Sequence, residues 1–147
     1  MNNKLIAIPS AVITLAAALT VGTLEPEDDP KLSQYQQRCA QAISFFIHQI
    51  PQRIPGAQVT FGEFHRPTWV AAEYARRGLG IATSLHTQRL AVDLMLFKNG
   101  EYQTDSASYR DLANLWKVVA PPFGITPAAG IDFNDGNHFS CAYGGRK

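Results

Sequence analysis

The stretch TSLHTQRLAVDLMLF, Thr83 to Phe97, sets a histidine and an aspartate at the mouth of an apolar run. Its second half, RLAVDLMLF, has the apolar and β-branched content of a strand. Side chains in a strand alternate between faces, so residues at odd separation point apart. His86 and Asp93 therefore cannot converge within one regular strand; convergence requires His86 in a turn and Asp93 inside the strand. An unpaired carboxylate in a buried run is costly, so Asp93 demands a cation. Arg89 or Arg66 would serve, and on this stretch alone an ion pair stays open.

Elements on either side follow from local pattern. From Lys31 to Ile50, Leu32, Tyr35, Cys39, Ala42, Ile43, Phe46, Ile47 and Ile50 recur at helical spacing, and Pro51 is expected to stop that helix. QVTFGEF, Gln58 to Phe64, reads as a short strand. RPTWVAAEYARRG reads as a helix with Pro67 in its first turn and Gly78 at its end. Asn99-Gly100 marks a tight hairpin turn from RLAVDLMLF into a return strand, EYQT. ASYRDLANLWKVVA is helical until Pro121-Pro122, and GIDFNDGNHFSCAYGG is a turn-rich loop leading into a last short strand. The class is α+β, with a small antiparallel sheet and flanking helices.

A second cluster bears on the Asp93 problem. DGNHF places Asp135 three residues before His138 in a glycine-containing turn, against Phe139. Two imidazoles and one carboxylate are a three-ligand zinc set that leaves a position open for water. A further carboxylate beside it is what hydrolysis needs, because a base must take a proton from the attacking water. His86, Asp93, His138 and Asp135 supply all four groups.

The pattern S-x-H-x6-D from Ser84 to Asp93, followed by D-x-x-H-F from Asp135 to Phe139, resembles the zinc DD-peptidase group called the M15 peptidases. That group includes phage and prophage L-alanyl-D-glutamate endolysins and shares its fold with the Hedgehog signalling domain. The resemblance covers about residues 31 to 147 and is strongest to the endolysin branch. It implies zinc held by His86, Asp93 and His138, with Asp135 as general base. It also implies that Arg66, in FHRPT, binds a substrate carboxylate or stabilises the oxyanion, a role suited to a fixed and always-charged fork. A salt bridge at a helix start is the other reading of Arg66. Ser84 and Gln88 match positions that line the substrate site, and a turn-stabilising role fits either equally. WVAAEY departs from the more polar turn that relatives carry there. His48 and His65 read as a helix residue and a strand-end residue.

Composition is consistent with a single soluble domain that can bury a core: 147 residues, 46% hydrophobic and 17% charged. With 13 basic and 12 acidic residues well mixed along the chain, the net charge of +1 provides no footprint for nucleic acid. Residues 1–24 differ in kind. Leu5 to Leu24 carries no charge and EPEDDP, residues 25–30, follows it as an acidic linker. Twenty helical residues reach roughly 30 Å, about one hydrocarbon thickness, with Lys4 on the cytoplasmic side. Pro9, Ser10, Thr14, Thr20 and Gly22 weaken the segment. It reads as a cleaved signal peptide, as a releasable anchor in the inner membrane, or as a buried core helix. The first two carry the domain out of the cytoplasm. There Cys39 and Cys141 can form a disulfide, although spacing leaves two separate buried thiols open.

The expectation is thus a monomeric, exported zinc peptidase acting on peptidoglycan stem peptides, most specifically at L-alanyl-D-glutamate. A D-Ala-D-Ala carboxypeptidase or dipeptidase, and a non-catalytic zinc-stabilised binding module, are the alternatives.

Overall fold

The structure is a computed structural model that describes residues 31–147; the expectations for residues 1–24 and 25–30 lie outside the described residues. Among the described residues, three α-helices, α1 (Leu32–Arg53), α2 (Thr68–Arg76) and α3 (Arg110–Val119), accompany five strands: β1 (Ala57–Phe61), β2 (Ala91–Lys98), β3 (Glu101–Tyr102), β4 (Pro127–Ala129) and β5 (His138–Cys141). The sheet runs β1-β2-β5-β4, with β3 also paired to β2, and every described pairing is antiparallel. This is the α+β class that the sequence leads one to expect.

Strand β2 is one-sided. Val92, Leu94 and Leu96 are buried, whereas Asp93, Met95 and Phe97 are half-buried. Asp93 is therefore not in a run buried on both faces, as the apolar content of AVDLMLF suggests; it stands on the face opposite the core. The core face packs against Tyr35, Cys39, Ile43, Phe46 and Ile50 of α1 and Leu112 and Trp116 of α3. At its centre the Phe46 ring lies 5.2 Å from Trp116 and 5.1 Å from Phe139 of β5. The indole N–H of Trp116 is not left orphaned: it donates to the carbonyls of Ala128 and Ser140 at 3.1 and 3.2 Å, tying α3 to β4 and β5.

Pro51 does not stop α1. The helix continues to Arg53, and the Ile54 N–H donates to the Ile50 carbonyl at 2.9 Å. So near the C-terminus the proline forfeits one backbone bond, while the fully buried Ile50 keeps the last turn on its path. Helix α2 ends as expected at Gly78, φ 69°. Gly78 and Leu79 donate back to Ala75 and Tyr74, the two bonds of a Schellman motif. The β2–β3 turn has positive φ at both Asn99 and Gly100, as a type I′ hairpin requires. Strand β4 is an element the sequence reading lacks, since Pro127-Ala128-Ala129 has no β-branched or aromatic residue.

Cys39 of α1 and Cys141 of β5 form a disulfide with their Cα atoms 6.1 Å apart. The choice between a bridge and two free thiols is thereby decided. Among the described residues no helix is long and apolar enough to cross a membrane.

Candidate metal centre

His86 sits in a single 3-10 turn, Leu85–Gln88, immediately before β2, which is the placement that parity along the strand demands. Ser84 opens that turn: its Oγ accepts from the His86 N–H at 3.3 Å, and its carbonyl accepts from the N–H and Oγ1 of Thr87. Arg89 closes it in the left-handed conformation, φ 55°, an uncommon one for a residue with a Cβ. The chain then reverses into β2 with the His86 imidazole 2% exposed.

Asp93 and His138 are brought together by sheet register, being direct partners across β2 and β5. The three side chains converge. His86 Nε2 lies 3.1 Å from His138 Nδ1 and 3.2 Å from Asp93 Oδ1, and His138 Nδ1 lies 3.3 Å from Asp93 Oδ1. Burial pushes the Asp93 carboxyl up, the largest single effect, but the His138 and His86 imidazoles together outweigh it and hold the group at about 2. Asp93 is thus ionised, and its partners are these imidazoles; neither Arg89 nor Arg66 pairs with it.

The donor set fits a metal ion. Two imidazole nitrogens and a carboxylate oxygen form a nearly equilateral triangle. Ligands about 2.0–2.1 Å from a tetrahedral zinc lie roughly 3.3–3.4 Å from one another, close to these edges. Lone pairs crowded in this way need a shared cation or proton between them. His86 Nδ1 is buried without a partner among the described residues, so the outer hydrogen bond that commonly orients a ligating imidazole is not formed by a protein side chain here.

The other expected site residues divide. Asp135 lies in the turn before β5 and is exposed; its carbonyl accepts from the His138 N–H at 3.0 Å, and no hydrogen bond joins its carboxylate to the triad among the described residues. Gly130 shapes this turn, because a Cβ there would stand 1.8 Å from the Asp135 carbonyl oxygen and 2.8 Å from His138 Cβ. Arg66 is bonded to Glu63: its Nε donates to both carboxylate oxygens at 3.0 Å and its Nη2 to Oε2. The Glu63 carboxylate holds the Arg66 guanidinium more firmly protonated than usual, against the effect of burial, with a smaller contribution from Asp93. The ion-pair reading of Arg66 is therefore realised, and Glu63 is a partner that sequence reasoning missed. Gln88 is drawn the other way: its Oε1 accepts from Arg146 at 2.6 Å. His48 and His65 are exposed and lie outside the His86–Asp93–His138 group.

No protein-family model and no curated protein matches the chain. Among solved structures, the crystal structure of the Serratia marcescens L-Ala D-Glu endopeptidase ChiX is similar, with a TM-score of 0.57, 18% identity, and coverage of 79% of this chain and 92% of that one. Residues 31–147 thus have the α+β fold of that peptidase, with a small antiparallel sheet and flanking helices.

Proposed function

We propose that the protein is a zinc-dependent peptidoglycan endopeptidase that hydrolyses a stem-peptide bond, L-alanyl-D-glutamate. The observation that carries this reading is the triangle of His86 Nε2, Asp93 Oδ1 and His138 Nδ1, with edges of 3.1 to 3.3 Å. The fold shared with an L-Ala D-Glu endopeptidase supports the substrate class. Zinc held by these three atoms would polarise the scissile carbonyl and acidify a water molecule. Asp135 takes the proton from the attacking water and returns it to the leaving amine. Its exposure in the turn that carries His138 leaves the carboxylate free to meet a bound peptide. Arg66 anchors a substrate carboxylate or the oxyanion, and Ser84 fixes the turn that presents His86.

The Cys39–Cys141 disulfide supports an extracytoplasmic site of action, since such bridges persist in oxidising compartments. We place the enzyme there as a monomer, exported through residues 1–24, with a releasable inner-membrane anchor as the means of delaying contact with the wall.

The test is digestion of purified peptidoglycan by the full chain, with and without a zinc chelator, reading new amino termini and fragment masses. Chelator-sensitive appearance of amino-terminal D-glutamate is the expected result. Release of terminal D-alanine alone would assign a carboxypeptidase. Absence of any cleavage by folded, zinc-loaded protein would reject the enzyme reading in favour of a binding module. Asp135→Asn should retain zinc and lose hydrolysis.

A further inference from the structure

Two Glu-Arg pairs in this chain have the same i,i+3 spacing, and their surroundings differ. Glu73 and Arg76 form an exposed bridge on α2, with side chains 41% and 72% exposed. Such pairs contribute little. Glu63 and Arg66 are 30% and 13% exposed and sit in the segment between β1 and α2.

That segment hangs from the metal-ligand residues. Gly62 and Glu63 both face Asp93 across the end of β1, in the arrangement of a β-bulge: the Gly62 N–H donates to the Asp93 carbonyl and the Asp93 N–H to the Glu63 carbonyl, each at 2.8 Å. The backbones approach closely here: a Cβ at Gly62 would meet Asp93 Cβ at 3.1 Å and would displace the Met95 methyl, 2.6 Å away. Three residues after Glu63, the Arg66 N–H donates to the His86 carbonyl at 3.2 Å. One end of the segment is thereby fixed to Asp93 and the other to His86, and the side-chain pair closes the strap. The Tyr74 ring lies 5.0 Å from the guanidinium carbon and bounds its face.

From this geometry we infer that Glu63 is a positioning residue for Arg66, turning the guanidinium so that its Nη1/Nη2 end is offered to an anionic group of the substrate beside the metal centre. A guanidinium has five N–H donors. Glu63 occupies the Nε/Nη2 edge. What remains is the terminal fork, which binds a carboxylate or an oxyanion with two parallel bonds. A lysine, with its three donors on one nitrogen, lacks the planar fork that binds each partner by two parallel bonds. The catalytic consequence rests on the peptidase reading above, whereas the orientation of Arg66 does not.

The experiment is Glu63→Gln in the full zinc-loaded protein, with Glu73→Gln as the matched control and Arg66→Ala for a double-mutant cycle. Zinc content should be unchanged. kcat/KM on a stem peptide should fall about tenfold or more in Glu63→Gln, in line with the loss of an orienting partner, and stay as in wild type in Glu73→Gln. In the Arg66→Ala background, Glu63→Gln should add less than about a twofold change. Independently of activity, the Arg66 Nε–H resonance in nitrogen-15 NMR should be sharp and slowly exchanging in wild type and lost in Glu63→Gln. Glu63→Asp, which withdraws the carboxylate by one methylene, gives the same readout if the amide variant does not fold. A protected Nε–H in either variant, or an undiminished effect of Glu63→Gln without Arg66, would overturn the proposal. Inactivity of the zinc-loaded wild type would reject the peptidase reading alone, and the NMR arm would still decide the role of Glu63.

Discussion

Asp93 faces His138 directly across β2 and β5, and the Leu94 N–H bonding the Asn137 carbonyl at 2.9 Å marks theirs as a non-hydrogen-bonded pair. In such pairs the side chains stand closest. Two of the three candidate ligand atoms are therefore positioned by sheet register, and a slip of one residue in either strand would turn that strand's side chain to the opposite face and part the two. The third, on His86, depends only on the turn that precedes β2.

It follows that His138→Ala and Asp93→Asn should each weaken zinc binding by about 100-fold or more, since outer partners alone commonly account for 10–100-fold. A competition titration against a chromogenic chelator measures this. Zinc at about 100 times its Kd should also raise wild-type stability by roughly 2.7 kcal/mol by mass action. An undiminished stabilisation in His138→Ala would show that the metal binds elsewhere.

Gly130→Ala should disable the same centre from outside it. The added Cβ would fall 1.8 Å from the Asp135 carbonyl oxygen, a backbone atom that cannot swing aside, so the turn carrying Asp135 and His138 must shift. A loss of about 1–3 kcal/mol, typical of overpacking, should be joined by weaker zinc uptake. Gly78, at φ 69°, has open space around it. Gly78→Ala should therefore meet only the backbone penalty and leave zinc uptake unchanged; equal metal loss in both variants would count against this account.

What was legible in the sequence is what local pattern encodes. The spacing of Tyr35, Cys39, Phe46 and Ile50 gives α1, the Asn99-Gly100 turn gives the hairpin, and the odd separation of His86 and Asp93 forces His86 into a turn. The pairing of Asp93 with His138 joins residues 45 apart through strand register, so composition does not reveal it. The partners of Asp93 are likewise imidazoles, while Arg66 is bonded to Glu63. Glu63 itself carries no signal in sequence, since its spacing to Arg66 is that of the exposed Glu73–Arg76 pair. For Pro51 and β4, tertiary burial overrides propensity.

Removing the disulfide should destabilise the domain strongly. Cys39 and Cys141 are fully buried and separated by 102 residues, so the bridge restricts most of the unfolded chain. Loop-closure entropy for about 100 residues predicts up to roughly 4.7 kcal/mol, and engineered removals cluster near 2–5 kcal/mol. Urea unfolding of Cys39→Ala/Cys141→Ala against wild type measures the difference. A change below about 1 kcal/mol would mean that the unfolded chain is already compact without the bridge.

Alkaline pH should loosen the contact between α1 and the C-terminal segment through Tyr35. Its hydroxyl donates to the Ala142 carbonyl at 2.8 Å and accepts from the Thr126 N–H at 3.3 Å. Burial raises the phenol above its ordinary value of 10.0, and the opposing effects of Thr126 and the nearby Arg38 are smaller. A folded-state value above the unfolded one means that folding favours the protonated phenol. That contribution is complete below pH 10 and is lost as pH rises through the folded value. Tyr109, also raised by burial, acts in the same direction. Stability from urea unfolding should therefore fall as pH rises above about 10, and Tyr35→Phe should be less stable at neutral pH but show a shallower alkaline decline. An equally steep decline in Tyr35→Phe would assign the alkaline transition to other groups.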